Sequence, residues 1–238
     1  MAKPKKMKLR DGTTVSDTRL ARLVQFDPRS RKYPVRKLVA GETPRSYTWG
    51  CDTVLDQGAE GACVGFSCSH ELIAKPKPIR GITTKFARES VYWEAQKIDP
   101  WAGGSYPGAS PRYEGTSVLC GVKILQKLGY IKEYRWSFSL NDLILAVGHV
   151  GPAILGLNWY EGMFEPHSCG CLHVTGELSG GHAILCRGVN VKKKTFLLHN
   201  SWGSDWGNNG TAEITFEEMD RLLKEDGEAV VPLVRALV

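Results

Sequence analysis

The chain has 238 residues, 42% hydrophobic and 24% charged, a balance that excludes collagen, coiled coil and wholesale disorder. It is long enough for one large domain or two lobes whose core needs neither disulfide nor metal to fold. The net charge of +6 hides an asymmetry: residues 1–45 hold 13 Lys and Arg against Asp11, Asp17, Asp27 and Glu42, a balance of +9, and the remainder carries −3. A basic arm therefore precedes a mildly acidic body. It reads as a solvated extension with short ordered pieces, the rival reading being a tether to nucleic acid or an anionic surface.

In chain order, residues 1–47 form this arm, with basic residues at the start but no apolar segment after them that would make an export signal. Residues 49–61 are loop-like. From Cys63 the spacing of Val64, Phe66, Cys68, Leu72 and Ile73 predicts a helix through about Ala74. A Pro/Gly break over 75–85 precedes a second helix at 86–97, and residues 99–115 form a long loop of the kind that usually serves function. Residues 116–128 make an amphipathic helix stopped by Gly129. Residues 143–157 are the longest mostly apolar run, too short for a membrane span and broken by Gly148, His149, Gly151 and Pro152. Strands are expected at 153–157, 183–189, 195–198 and 211–216. The fold class is α+β: a helical lobe over 48–140, a β-rich lobe over 141–238, and a cleft between them.

Chemistry concentrates at three places. Cys63 follows a glycine-rich approach, Gln57-Gly-Ala-Glu-Gly-Ala-Cys63, and opens a helix, where free N–H groups and the helix dipole favour a thiolate. A buried core cysteine is the competing reading. His182 stands behind Gly180 and Gly181 at the head of an apolar strand. Asn200, in Asn200-Ser201-Trp202-Gly203, can orient an imidazole from the end of a neighbouring strand. His167, Cys169, Cys171 and His173 suggest a metal at first sight, but Cys-X-Cys lacks zinc spacing, so neither metal nor cofactor is expected.

These blocks resemble the papain family of cysteine peptidases. Gln57 lies six positions before Cys63, the Asn200-Ser-Trp-Gly run is intact, and the order Cys, His, Asn agrees. Residues 114–129 are similar to the family's substrate loop and following helix. The resemblance implies a two-lobed fold with a helical left lobe and a β-barrel-like right lobe. Cys63 would be the nucleophile, paired as a thiolate with the imidazolium of His182. Asn200 would orient the imidazole, Trp202 would shield that bond, and Gln57 would serve the oxyanion hole. Gly115 would pair with the substrate backbone. Thr116, Ser117, Val118, Gly156, Gly181 and Ala183 would also face substrate, with Ser117, Val118, Gly156 and Ala183 lining a roomy, uncharged pocket for the residue two before the scissile bond.

Three departures accompany the resemblance. Glu60 stands where the family has a disulfide cysteine, which suits a reduced compartment. Val64 and Gly65 replace bulkier neighbours and are expected to loosen packing behind the thiol. The segment before Gln57 is short for the family's inhibitory propeptide, which argues against a self-blocking zymogen of the usual design. The expected activity is peptide-bond hydrolysis through a thioester, on peptide or protein substrates, in the cytoplasm. The rivals are a transpeptidase, amidase or cell-wall hydrolase on the same scaffold, and a non-catalytic binding protein.

Overall fold

The computed structural model describes residues 6–235; the first five residues of the arm and the last three of the β-rich half lie outside the described residues. The arm is not a solvated extension. Strands β1 (Met7–Lys8) and β2 (Thr14–Val15) form a small hairpin, and β3 (Arg22–Leu23) follows. Leu9, Val15, Leu20, Ala21 and Leu23 are buried. The arm's mean charge conceals these apolar residues, which share no regular period and so give no helix or strand signal.

A short strand β4 (Tyr47–Thr48) leads to α1 (Cys63–Ile73), a π-helical stretch over Phe86–Tyr92 that continues as α2 (Trp93–Ile98), β5 (Thr116–Ser117) and α3 (Val118–Lys127). Helix α1 is buried on every side from Cys63 to Leu72. Its hydroxyls are satisfied within the helix, Ser67 on the Val64 carbonyl and Ser69 on the Gly65 carbonyl, at 3.1 and 2.8 Å. The expected looseness behind the thiol is absent. Gly65 lets the π-helical stretch approach so closely that a Cβ there would collide with the Ala87 carbonyl oxygen and crowd Tyr92. Helix α3 begins at Val118 because Ser117 caps it, accepting the Cys120 N–H at 3.1 Å.

The second half supplies β6 (Ile131–Ser137), α4 (Leu140–His149), β7 (Ala153–Tyr160), β8 (Leu178–Asn190), β9 (Thr195–His199), β10 (Thr211–Thr215), α5 (Phe216–Lys224) and β11 (Glu228–Arg235). The sheet order is β10-β9-β8-β7-β11-β6, with β4 also on β8, and every pairing is antiparallel. The chain is thus α+β with helices against a large sheet, but the sheet is open and no closed barrel forms. Alternate residues enter opposite cores: Ile154, Ala183 and Leu185 pack toward α1 and α3, whereas Leu155, Ile184 and Cys186 pack with Phe196 and Leu198 on the other face. Both faces being covered, the long central strand β8 is a rigid mount for whatever it carries.

Candidate active site

The Cys63 thiol meets the backbone N–H of Ala183, which places the head of α1 beside His182, and His182 in turn meets Asn200. Cys63 is the helix's first residue, His182 lies on β8, and Asn200 directly follows β9; all three are fully buried. Asn200 Oδ1 stands 2.8 Å from His182 Nε2 and also accepts the Ser201 N–H at 2.8 Å, which fixes the amide. Trp159 and Trp202 flank the imidazole with ring centroids 4.7 and 4.8 Å away. Gln57 is held from the far side: Ser201 Oγ donates to its Oε1 at 2.7 Å, which turns its Nε2 toward the cleft.

The cleft itself is filled by the arm. Gln57 Nε2 donates to the Arg19 carbonyl at 3.2 Å, so a backbone oxygen sits on the donor expected to serve the oxyanion. Strand β3 pairs with β5 in parallel, Arg22 opposite Thr116 and Leu23 opposite Ser117, and the Thr116 N–H donates to the Ala21 carbonyl at 3.2 Å. Backbone pairing therefore runs through Thr116 rather than Gly115. The Gly115 N–H is taken by the Tyr92 hydroxyl, and its carbonyl accepts from Arg10 and Gln96. Gly181 has room for no side chain, because a Cβ there would collide with the Arg22 carbonyl oxygen. The Arg19 guanidinium lies 4.0 Å over the Trp202 ring, and beyond it an open groove of about 730 Å³ runs past Phe164, Cys169, Trp206 and Asn208. Arg10 pins the near end of the arm through an ion pair with Asp99 at 2.5 Å.

The pocket expected to be uncharged is not. Ala183 and Val118 are buried beside Cys63, and Ser117 Oγ donates to Gln25 Oε1 at 2.6 Å. Gly156, however, faces an ion pair: Arg22 Nε and Glu228 Oε1 are 3.2 Å apart, with both side chains fully buried.

Burial shifts both titrating groups against their charged forms. Desolvation raises the Cys63 thiol, opposed by N–H groups of Ala183, Ala21 and Val64. Desolvation likewise holds His182 down to about 4, against the Asn200 bond that favours its charged form. Burial thus opposes charge on both members of the expected thiolate–imidazolium pair.

Around the site, Glu60 does what a disulfide would: it pairs with Arg88 and accepts from Trp93 Nε1 at 3.1 Å and Ser105 Oγ at 3.4 Å. His199 turns away from the cleft and packs on His70, ring centroids 4.4 Å apart. His167 packs on His173 at 4.6 Å, and no group of three or more metal-ligating residues is arranged to hold an ion among the described residues. Sequence reasoning missed Arg19, Ala21, Arg22 and Glu228, which belong to no motif. Ser201 was legible only as part of the Asn-Ser-Trp run.

Residues 91–226, more than half of the chain, match the family described as papain family cysteine protease. The chain belongs to that family. The matched span includes His182 and Asn200 but neither Gln57 nor Cys63. The chain is 26% identical to cathepsin K of Gallus gallus over 211 residues, 77% of this chain and 63% of that one. It is 42% identical to a cathepsin B-like cysteine proteinase of Schistosoma japonicum over 126 residues, 44% of this chain and 37% of that one. It thus spans less than two thirds of the length of either. Among solved structures, xylellain of Xylella fastidiosa superposes with a TM-score of 0.71 at 19% identity, covering 99% of this chain and 100% of that one. Procathepsin L 3 of Tenebrio molitor gives 0.58 at 16% identity, covering 91% and 77%. These likenesses extend the shared fold to nearly the whole chain.

Proposed function

We propose that the chain is a cysteine peptidase whose described form is latent, its cleft filled by its own arm. The observation that carries the reading is that the Cys63 thiol meets the backbone of Ala183, the neighbour of His182, whose ring is bonded to Asn200 while Ser201 holds Gln57. In the working state the arm leaves and water re-enters, which removes the desolvation that opposes charge on both groups. His182 then takes the Cys63 proton, and the thiolate attacks the scissile carbonyl. The oxyanion forms against the Gln57 amide and the Cys63 N–H, His182 protonates the leaving amine, and water hydrolyses the thioester. No step calls on a cofactor. All seven cysteines are free thiols, which supports a reducing compartment such as the cytoplasm. No described helix is long and apolar enough to cross a membrane. Of the arm's basic residues, Arg10 and Arg22 are buried in ion pairs and do not face solvent.

The test is to incubate the reduced full-length chain with an epoxysuccinyl electrophile and map the adduct. One adduct on Cys63 is expected, formed faster in Arg22→Ala and absent in His182→Ala. A folded Arg22→Ala protein with neither an adduct at Cys63 nor peptide turnover overturns the reading.

A further inference from the structure

The stretch from His167 to His173 carries two cysteines that the chemistry of the cleft leaves unused. Residues 167–170 fold as a tight turn. The Gly170 N–H donates to the His167 carbonyl at 2.7 Å, and the His167 N–H donates to the Cys171 carbonyl at 2.9 Å. Gly170 makes the reversal possible, because its φ of +77° lies in the left-handed region that closes such short loops. The loop is also tied to β10: the Glu213 N–H donates to the Gly170 carbonyl and the Leu172 N–H to the Glu213 carbonyl, each at 2.8 Å. Cys169 and Cys171 therefore sit at fixed places on either side of one bent residue.

That bend brings the two side chains together. Cys171 Sγ lies 3.7 Å from the Cys169 carbonyl oxygen, and its thiol is within hydrogen-bonding reach of the Cys169 side chain. The contact with Cys169, with desolvation second, pushes the Cys171 thiol up to about 11, so Cys171 keeps its proton. Access separates the pair. Cys169 is exposed and Cys171 half-buried, whereas Cys51, Cys63, Cys68, Cys120 and Cys186 are all buried. Cys169 also lines the open groove of about 730 Å³ beyond Trp202, which is roomy enough for a tripeptide. A thiol reagent arriving from solution meets Cys169 first and finds a second thiol beside it.

We infer that Cys169 and Cys171 form a reversible dithiol–disulfide couple, in which Cys169 captures a small-molecule disulfide such as oxidised glutathione and Cys171 resolves it. Cys169, as a thiolate, attacks one sulfur of the small disulfide, and the other sulfur leaves as a thiolate. Cys171 then loses its proton to water and attacks the Cys169 sulfur, which expels the second small thiolate. The protein dithiol has given up two electrons and two protons, and the small disulfide has become two thiols. With a single residue between the cysteines, closing the ring gains little from the unfolded chain, so excess small thiol reopens it. No step uses Cys63 or His182, and the couple stands apart from the peptidase reading.

The test exposes the reduced full-length chain to oxidised glutathione and follows intact mass and peptide maps. The unaltered chain should lose two hydrogens, end with a Cys169–Cys171 disulfide and carry no glutathione. Cys171→Ser should stop at one glutathione on Cys169. Cys169→Ser should react about tenfold or more slowly than Cys171→Ser, because the exposed thiol is gone. An excess of reduced glutathione should return the unaltered chain to its starting mass. Glutathione that stays on Cys169 in the unaltered chain overturns the inference, since Cys171 then resolves nothing. Equal rates in the two serine variants overturn it as well, as does reaction at a buried cysteine ahead of Cys169, or a disulfide that excess thiol leaves closed. Both substitutions fall in a loop at the surface, and Cys63→Ala should give the same products as the unaltered chain.

Discussion

At the scale of single residues, the site separates groups that react from groups that hold them still. In the proposed reaction His182 moves the proton, while Asn200 fixes its ring through a single bond of 2.8 Å and is itself fixed by the Ser201 N–H. The consequences of losing each should differ accordingly. In the arm-released protein, His182→Ala should lower kcat/KM by about a thousandfold or more, because the general base is gone. Asn200→Ala should cost about ten- to a hundredfold, the worth of one hydrogen bond to a charged group. Steady-state kinetics on one peptide amide would check both, and equal losses would mean that Asn200 does more than orient. These residues could be read from sequence because each sits in a short motif whose spacing the chemistry dictates. The buried ion pair of Glu228 could not: it depends on Gly156 and Arg22, which are far from it in the chain and meet it only in the fold.

At the scale of elements, close packing behind α1 shows how a family departure can be structural. Gly65 is where the π-helical stretch touches the nucleophile's helix. Gly65→Ala should destabilise the protein by about 1–3 kcal/mol through overpacking against backbone that cannot yield. A urea midpoint unchanged from wild type would contradict this. Helices α1 and α3 were legible because their apolar spacing or stop signal stands out. The late helix α5 was overlooked although Thr215 and Glu218 announce it; Thr215 Oγ accepts the Glu218 N–H at 3.2 Å. Strands β6 and β11 were hidden for a different reason. Ile131-Lys-Glu-Tyr-Arg is mostly polar, and β11 contains Pro232, so neither shows the alternation that marks a strand. The arm gave its charge plainly and its destination not at all, since what buries it is a cleft built from both halves of the chain.

For the molecule as a whole, burial of histidines couples stability to pH. His70, His182 and His199 are all held below the ordinary imidazole range, chiefly by desolvation, the last two to about 4. The unfolded chain binds a proton at each below about pH 6.5, whereas the folded chain resists, at His182 and His199 until near pH 4. Their contribution is therefore complete above about pH 6.5 and is lost as pH falls toward 4. Buried carboxyls such as Glu228, raised by desolvation, act in the opposite sense, so the histidine effect is best read by difference. His199→Gln should shrink the loss of unfolding free energy between pH 7 and pH 4 by about 2–3 kcal/mol, measured by urea titration. Equal losses in the two proteins would count against it. The tie between Gln57 and Ser201 spans 144 positions, and Glu228 comes later still. A ribosome delivers the arm first, the thiol next, and the imidazole, its orienting amide and the pocket floor only near the end of synthesis. The segment that fills the cleft is thus already synthesised when the last of the groups proposed to react there leaves the ribosome.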